Sequence, residues 1–529
     1  MDDSLHQTEV GFKNLTIELY ATEKEYYVFD AKNVIFIEVD PVVFAILGKL
    51  REKKLNTDDL FSILPQYSKS EIRDSLREVK KFQRKGYLIS SHFNRDSRYD
   101  QSYFKHTLSN KLSGFTVYVT TQCNLSCSYC IYGGQYSRYQ KLSQTSMTWK
   151  TAQNMVDFLI THSGQSEKIR LDFFGGEPLL AFDLIRQTVA YAKSRIGPDG
   201  PPIIITIASN GSILNDKILD FLLEHKVLLQ FSIDGKIEIH DRDRRFRTIN
   251  RGSFNLVISN LQKIYNHAPD YFRKCVQVKS VITMETLELE DDNFFNHPLI
   301  KILEEEGNLT MLIKEPHYDL ERDSDYFDQL HRIGQRLLSL SGVKKLSELL
   351  RILNFRQKTF FYHTFNEFTE VQSVNKFYLC DSDNVPFRKG CLMGYQEGAV
   401  HPNGDITICH KATSFIIGNV NKGIWHFDKI WNLHSQLYKW PECQSCFVQR
   451  VCDLCYEKLH DGKAAWISTR VNFCKFTRKK YHLIFEYMLR ILEKNPKLWI
   501  DLEKEVDIKI KDRLKQMEGE AQEEADKRV

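Results

Sequence analysis

Residues 115–130 read FTVYVTTQCNLSCSYC. The first seven are an apolar, β-branched run of strand length, and the run is followed by three cysteines spaced C-x3-C-x2-C. Five more such runs lie downstream: IRLDFF (169–174), IIITIAS (203–209), LLQFSI (228–233), VQVKSVI (276–282) and LTMLI (309–313). Stretches of helical length separate them, and this alternation predicts parallel βα units. The expected class is α/β, with the six units forming a partial (β/α)6 TIM-like barrel. Sites in such barrels sit at the C-terminal ends of the strands. Here Cys123 follows the first run, Gly175-Gly176-Glu177-Pro178 the second and Ser209-Asn210-Gly211 the third, while Ser232 and Asp234 end the fourth. Four polar clusters are thereby expected on one rim.

The 529 residues are enough for three or four modules, and 42% hydrophobic, 27% charged and 13 proline residues exclude a disordered or collagen-like chain. The N-terminal MDDSLHQTEVGF lacks the basic and apolar regions of a secretory signal, and no run approaches the ~18 apolar residues of a membrane span. A cytoplasmic protein with no membrane partner is expected. Lys+Arg 73 against Asp+Glu 69 gives +4, too balanced to announce nucleic acid. The 12 cysteines are more telling. In a reducing compartment they imply metal or redox chemistry rather than disulfides. Three sit at 123, 127 and 130 and seven fall between Cys391 and Cys474, leaving only Cys275 and Cys380 apart.

Ahead of the barrel, NLTIELY, EYYVFD and VIFIEV read as strands and Asp40-Pro41 opens a helix. Short helices follow Thr57 and Ser68, where Ser68 and Glu71 match a capping box and Ile72, Leu76 and Val79 recur at helical spacing. With GYLIS (86–90) as a closing strand, residues 1–95 read as a winged-helix-like domain, followed by a polar linker over 91–114. The barrel is expected over 110–320, a helical bridge over 321–375, a Cys-rich domain over 376–480 and a charged helical extension over 481–529. Cys275 is read as a small buried residue on a barrel strand.

The C-x3-C-x2-C spacing supplies three thiolates from one short loop. A closed zinc site takes four ligands, so the alternatives are a zinc knuckle borrowing a distant ligand or a [4Fe–4S] cluster with one open iron. TQCNLSCSYC, FFGGEP, SNGSIL and SIDG at successive strand ends resemble the radical S-adenosylmethionine (radical SAM) enzymes. The resemblance implies that Cys123, Cys127 and Cys130 hold the cluster and that its open iron chelates S-adenosylmethionine (AdoMet). Reductive cleavage would then give a 5′-deoxyadenosyl radical that takes hydrogen from substrate carbon. It further implies that Gly175, Gly176 and Glu177 receive the methionine ammonium, Asn210 steadies the methionine end, Ser232 and Asp234 contact ribose and Tyr129 lies near adenine. Each also has a plain reading, as helix caps at Glu177, Ser232 and Asp234 and a turn at Ser209-Asn210-Gly211.

The later cysteines resemble the SPASM extension of radical SAM peptide maturases, which holds two auxiliary [4Fe–4S] clusters, three in all. That resemblance gives one auxiliary cluster Cys391, Cys409 and Cys455, with Cys380 as a possible fourth ligand, and the other Cys443, Cys446, Cys452 and Cys474. The two residues between Cys452 and Cys455 depart from the three usual in that family, and zinc ribbons are the competing reading. Sulfatase maturases carry Asp after the equivalent of Cys409; here it is His410, which is either structural or a proton-transfer group.

Together these resemblances imply a maturase of ribosomally made peptides that forms a Cys thioether, of the sactipeptide or ranthipeptide kind. Its partners would be a precursor peptide, whose leader adds a strand to the N-terminal sheet, and an electron donor such as flavodoxin or ferredoxin. Carbon–carbon crosslinking, formylglycine formation and a metal-bound nucleic-acid regulator are the alternatives. The last draws on Lys69, Arg73, Arg77, Lys80, Lys81, Arg84 and Lys85, but Glu71, Asp74 and Glu78 interrupt that face, so nucleic acid is not the expected partner.

Overall fold

The computed structural model describes residues 15–52, 55–88, 101–133, 144–287, 289, 292–313, 323–339, 398–438, 441–443, 445–449, 451–452, 454–455, 457–459, 466–494 and 496. Strands β1 (Ile17–Ala21), β2 (Tyr26–Asp30) and β3 (Ile35–Val39) form an antiparallel sheet in that order. Helices α1 (Pro41–Glu52), α2 (Thr57–Ile63) and α3 (Lys69–Arg84) follow. Asp40 caps α1 by accepting from Val42 and Val43 N–H, and the Ser68–Glu71 capping box of α3 is formed. Ile72, Leu76 and Val79 are buried with Ile17, Val28 and Val39 from the sheet. GYLIS does not behave as expected in its described part. Residues 86–88 are a turn in which Leu88 takes a left-handed φ of 50°, fully buried, with its N–H donating to Asp30 Oδ2 at 2.9 Å.

The expected linker contains α4 (Gln101–Asn110), because Phe104 and Leu108 lie one turn apart and join the barrel core with Leu112. All six apolar runs are strands: β4 (Gly114–Thr120), β5 (Ile169–Gly175), β6 (Ile203–Ser209), β7 (Leu228–Ser232), β8 (Val276–Ile282) and β9 (Leu309–Ile313). They pair in parallel in chain order. Their connections carry α5 (Trp149–His162), α6 (Phe182–Ile196), α7 (Asp216–Glu224), α8 (Ile237–Asp243), α9 (Phe254–His267), α10 (Pro269–Cys275), α11 (Asp292–Phe295) and α12 (Pro298–Glu305). Leu171, Phe173, Ile205, Ile207, Leu229, Phe231 and Val278 face these helices in one apolar core. Cys275 ends α10, one residue before β8 rather than on it, and packs half-buried against that core.

Of the expected helical bridge, α13 (Ser324–Ser339) is described, and residues 340–397, with Cys380 and Cys391, lie outside the described residues. Beyond them, β10 (Gly398–Val400) pairs in parallel with β4 through Ala399 and Thr116. Strands β11 (Asp405–Thr407), β12 (Ile416–Asn419) and β13 (Ile424–Trp425) continue antiparallel. The barrel sheet thus grows to ten strands, and the edge of β4 is covered by the Cys-rich region. Helix α14 (Phe427–Tyr438) precedes α15 (Trp466–Lys494), which runs across residue 480.

One face of α15 packs on the N-terminal sheet. Phe485 lies 4.6 Å from the Phe29 ring and 5.4 Å from Phe36, and His482 stacks on Tyr20. Near its end Glu493 accepts from the Tyr27 hydroxyl at 3.1 Å. The three-stranded sheet is therefore buried on both faces, by α1–α3 on one and by α15 on the other. Phe485→Ala is expected to cost about 3–5 kcal/mol. Denaturant titration with limited proteolysis tests this, the expected result being earlier cleavage within residues 15–88.

Candidate radical SAM site

The loop after β4 carries Cys123, Cys127 and Cys130 without regular structure of its own. Its start is held by β5: Gly176 N–H donates to Thr120 C=O at 3.0 Å and Glu177 N–H to Gln122 C=O at 2.7 Å. The contact is so close that a Cβ on Gly175 would lie 2.0 Å from Thr120 O, and one on Gly176 2.0 Å from Gln122 O. Gly175 also has φ +133°. The glycines expected to admit a cofactor thus first admit the cysteine loop.

The far part of the loop pairs with residues 243–247. Ser126 N–H donates to Arg245 C=O, Ser128 N–H to Asp243 C=O and Arg247 N–H to Asn124 C=O, at 2.8–3.0 Å. Arg244 is the buried centre of this contact. Its Nε donates to Asp234 Oδ2 at 2.6 Å, its Nη1 lies 4.0 Å from Cys127 Sγ, and its guanidinium sits 5.4 Å from the Tyr129 ring centroid. The Tyr129 hydroxyl also donates to Asp234, whose Oδ1 accepts from Val281 N–H at 2.9 Å. Burial pushes the Asp234 carboxyl up, but Arg244 and these donors outweigh it and hold the group below the usual carboxylate range. His240 supports the arrangement. Burial lowers its pKa to about 3, so the ring is neutral, accepts Asp234 N–H at Nδ1 and donates from Nε2 to Ser253.

At the end of β6, Asn210 Nδ2 donates to Asn124 at 2.8 Å and lies 3.9 Å from Cys123 Sγ. Glu177 is fully buried and accepts from Leu179 N–H, Ser209 Oγ and Asn210 N–H at 2.7–3.1 Å. Burial raises its pKa to about 7 against those three donors. It caps the turn Pro178–Ala181 and at the same time ties the ends of β5 and β6 together. Ser232 pairs in register with Lys279 on the rim. The residues singled out in the sequence are thus neighbours, while Asn124, His240 and Arg244 were missed. The last two lie in HDRDRRFR (240–247), whose charge reads as solvated surface.

The three thiols lie within each other's electrostatic reach, and burial raises the pKa of each, that of Cys127 to about 12. Among the described residues no three His, Cys, Asp or Glu side chains close on a single ion. The group to weigh against these residues is a cluster held by three thiolates. The donor set suits it: three thiols, with the Asn210 amide and Arg244 guanidinium directed at two of them as donors to cluster sulfur ligands would be.

The later cysteines fall into two sets. Cys443, Cys446 and Cys474 act on one another, Cys452 packs in the same apolar cluster, and Arg470 Nη2 donates to Cys443 Sγ at 3.1 Å. Cys409 and Cys455 are within electrostatic reach, and Ala412 N–H donates to Cys409 Sγ at 3.2 Å. Between Cys130 and Cys409 sit Tyr118 and Tyr132, whose hydroxyls are 2.9 Å apart and both donate to His410 C=O. Burial lowers the His410 pKa to about 4, and its ring meets Phe174 edge-on.

Residues 117–291 match the sequence model of the Radical SAM superfamily. The chain therefore carries a radical SAM domain, with the [4Fe–4S] cluster and AdoMet that this implies, and it is an enzyme. Among curated relatives it is 25% identical over 276 residues to the radical SAM cyclopropyl synthase TigE of Paramaledivibacter caminithermalis, covering 50% of this chain and 54% of that one. It is 27% identical over 153 residues to the cysteine-type anaerobic sulfatase-maturating enzyme of Clostridium novyi, covering 29% and 40%. The chain thus spans about half the length of these relatives or less. A solved structure of His6-tagged anSMEcpe with bound AdoMet aligns with TM-score 0.48 at 16% identity, covering 74% of this chain and 97% of that one. No helix among the described residues is long and apolar enough to cross a membrane.

Arg244→Met would leave Asp234 charged and buried without its partner. A loss of about 3–5 kcal/mol is expected, read by chemical denaturation of the metal-free protein, and Arg244→Lys should recover only part of it.

Proposed function

We propose that this enzyme modifies a ribosomally made precursor peptide, taking hydrogen from one residue and closing a thioether from a peptide cysteine onto that carbon. The observation that supports it best is the placing of the Cys409–Cys455 set beside the Cys123–Cys127–Cys130 loop, separated by the Tyr118–Tyr132 pair. When bound, a [4Fe–4S] cluster on the first set with AdoMet supplies a 5′-deoxyadenosyl radical, and clusters on the two later sets, with Cys391 and Cys380 joining the Cys409 set, supply an acceptor for the released electron. In this reading Glu177, Asn210, Ser232, Asp234 and Tyr129 hold and orient AdoMet, directly or through the network described above. Cytoplasmic residence, with flavodoxin or ferredoxin as electron donor, belongs to the same reading.

Residues 1–95 are proposed to hold the leader. Among the described residues β3 pairs on one side only, with β2, leaving a strand edge for an extended peptide. The basic face of α3 is partly engaged within the unit, Lys69 and Arg73 against the Phe61 ring and Arg77 with Asp74, which favours peptide over nucleic acid. Anchoring the leader there keeps the core peptide at high effective concentration near the barrel. The names of the sulfatase-maturating relatives favour a second reading, oxidation of one residue to formylglycine.

Mass spectrometry after anaerobic turnover with a Cys-containing precursor peptide separates the two. A thioether predicts loss of one hydrogen pair and of one alkylatable thiol, with no aldehyde. Formylglycine predicts an aldehyde that reacts with hydroxylamine. An unchanged peptide with AdoMet still cleaved would reject both for that substrate class.

A further inference from the structure

The stretch that supports the cysteine loop from outside also presents a charged surface. Residues 240–252, HDRDRRFRTINRG, hold five arginines and two aspartates. Some of these charges are engaged within the fold. Arg244 is buried on Asp234, Arg242 pairs with Asp243, and Asp241 accepts from Phe254 N–H at 2.8 Å. The Arg245 guanidinium donates to the Asn250 and Asp241 carbonyls at 2.5–2.9 Å. It thereby braces a turn in which Phe246 N–H donates to Arg251 C=O and Asn250 N–H to Phe246 C=O, at 2.8–2.9 Å. Asn250 takes the left-handed φ of 47° that this turn requires, a conformation Asn tolerates. Residues 247–251 are all exposed at its tip. Among the described residues no carboxylate pairs with Arg247 or Arg251. Between the two arginines stands Ile249, which at 65% is the most exposed large apolar side chain of the described residues.

This turn is joined directly to the cysteine loop. Leu125, between Cys123 and Cys127, forms a β-bridge with Phe246, and Arg247 N–H donates to Asn124 C=O at 2.9 Å. The turn is thus about 5 Å, one strand spacing, from the backbone that carries the three thiols. A single exposed Ile is ordinary by itself. An apolar tip flanked by two arginines without ion-pair partners, on a hydrogen-bonded turn, has the apolar centre and charged rim of a small protein interface. Nucleic acid would use the arginines but leave Ile249 unexplained.

We infer that the turn at 247–251 is the docking surface for the one-electron donor, a small protein with an acidic face, and that the electron enters at the Cys123–Cys127–Cys130 set. The inference rests on the reading above that a protein donor serves this enzyme, and it gives that donor a place and a charge. The step moves a single electron: the donor loses it, the cluster held by the three thiolates gains it, and no atom is transferred. Arg247 and Arg251 steer the acidic face to the turn, and Ile249 packs at the centre of the contact.

The test uses reconstituted protein with AdoMet bound. The probe is reduced flavodoxin, a small acidic flavoprotein, with reduced ferredoxin as a second arm; electron transfer is followed by anaerobic stopped flow and binding of the oxidised donor by calorimetry. A variant carrying both Arg247→Glu and Arg251→Glu is expected to be reduced at least about tenfold more slowly and to bind the donor less tightly, with the deficit shrinking as salt is raised. The variant with Arg247→Lys and Arg251→Lys should keep most of the rate. Iron content and reduction by dithionite, which needs no docking, should match the wild-type protein in both variants. A wild-type rate and affinity in the double Glu variant would overturn the inference and leave the donor reading standing. A wild-type protein that dithionite reduces but neither flavodoxin nor ferredoxin does would overturn both. Binding of a DNA duplex that the double Glu variant loses, with electron transfer unchanged, would assign the turn to nucleic acid and overturn the inference as well.

Discussion

The buried Arg244–Asp234 pair is the constraint on which the cysteine loop depends. A loop that must present three thiols cannot be stabilised by a ladder of its own, so its backbone groups are satisfied elsewhere: by β5 at one end and by residues 243–247 at the other. Arg244 sits where that second contact, the end of β7 and the Tyr129 ring meet. A lone guanidinium at that depth would be costly, and so would a lone carboxylate. Paired, with Tyr129 and Val281 satisfying the remaining oxygen positions, they fix the loop against the barrel rim.

A second consequence of the fold is that the cysteine sets are mechanically linked to parts of the chain far from them in sequence. Strand β10 adds to β4, so the turn with Cys409, His410 and Lys411 is delivered to the barrel by main-chain pairing. Helix α15 carries Cys474 in its first half and the N-terminal sheet on its second. The proposed leader-binding unit therefore rests on the same rigid element that supplies a proposed cluster ligand. On that proposal, peptide capture and redox chemistry are held in fixed relation.

The six barrel strands were legible because each is an apolar run bounded by polar rim residues, and parallel strands buried on one face by helices need such runs. The clustering of the cysteines was legible from spacing, and their division into sets only from the family resemblance. What escaped was long-range or charged. Strands β10 to β13 span two to four residues with little periodicity, and Ala399 meets Thr116 across nearly the whole barrel sequence. The helix that carries Phe104 and Leu108 lay in a segment read as a polar linker. Nothing in HDRDRRFR marks Arg244 and His240 as buried, and their partners are ones that only the fold brings near. Glu177 shows the remaining gap: its position on the rim was readable, but not that its carboxylate is taken up by three donors of the chain itself.

The three cysteine sets are proposed to hold iron–sulfur clusters. The most direct test is metal analysis of protein reconstituted without oxygen, beside a variant with Cys123, Cys127 and Cys130 all replaced by Ala. Three cubane clusters predict about 12 iron atoms per chain, falling to about 8 in the variant with loss of AdoMet cleavage. Zinc in place of iron, or iron content unchanged by the triple substitution, would contradict it.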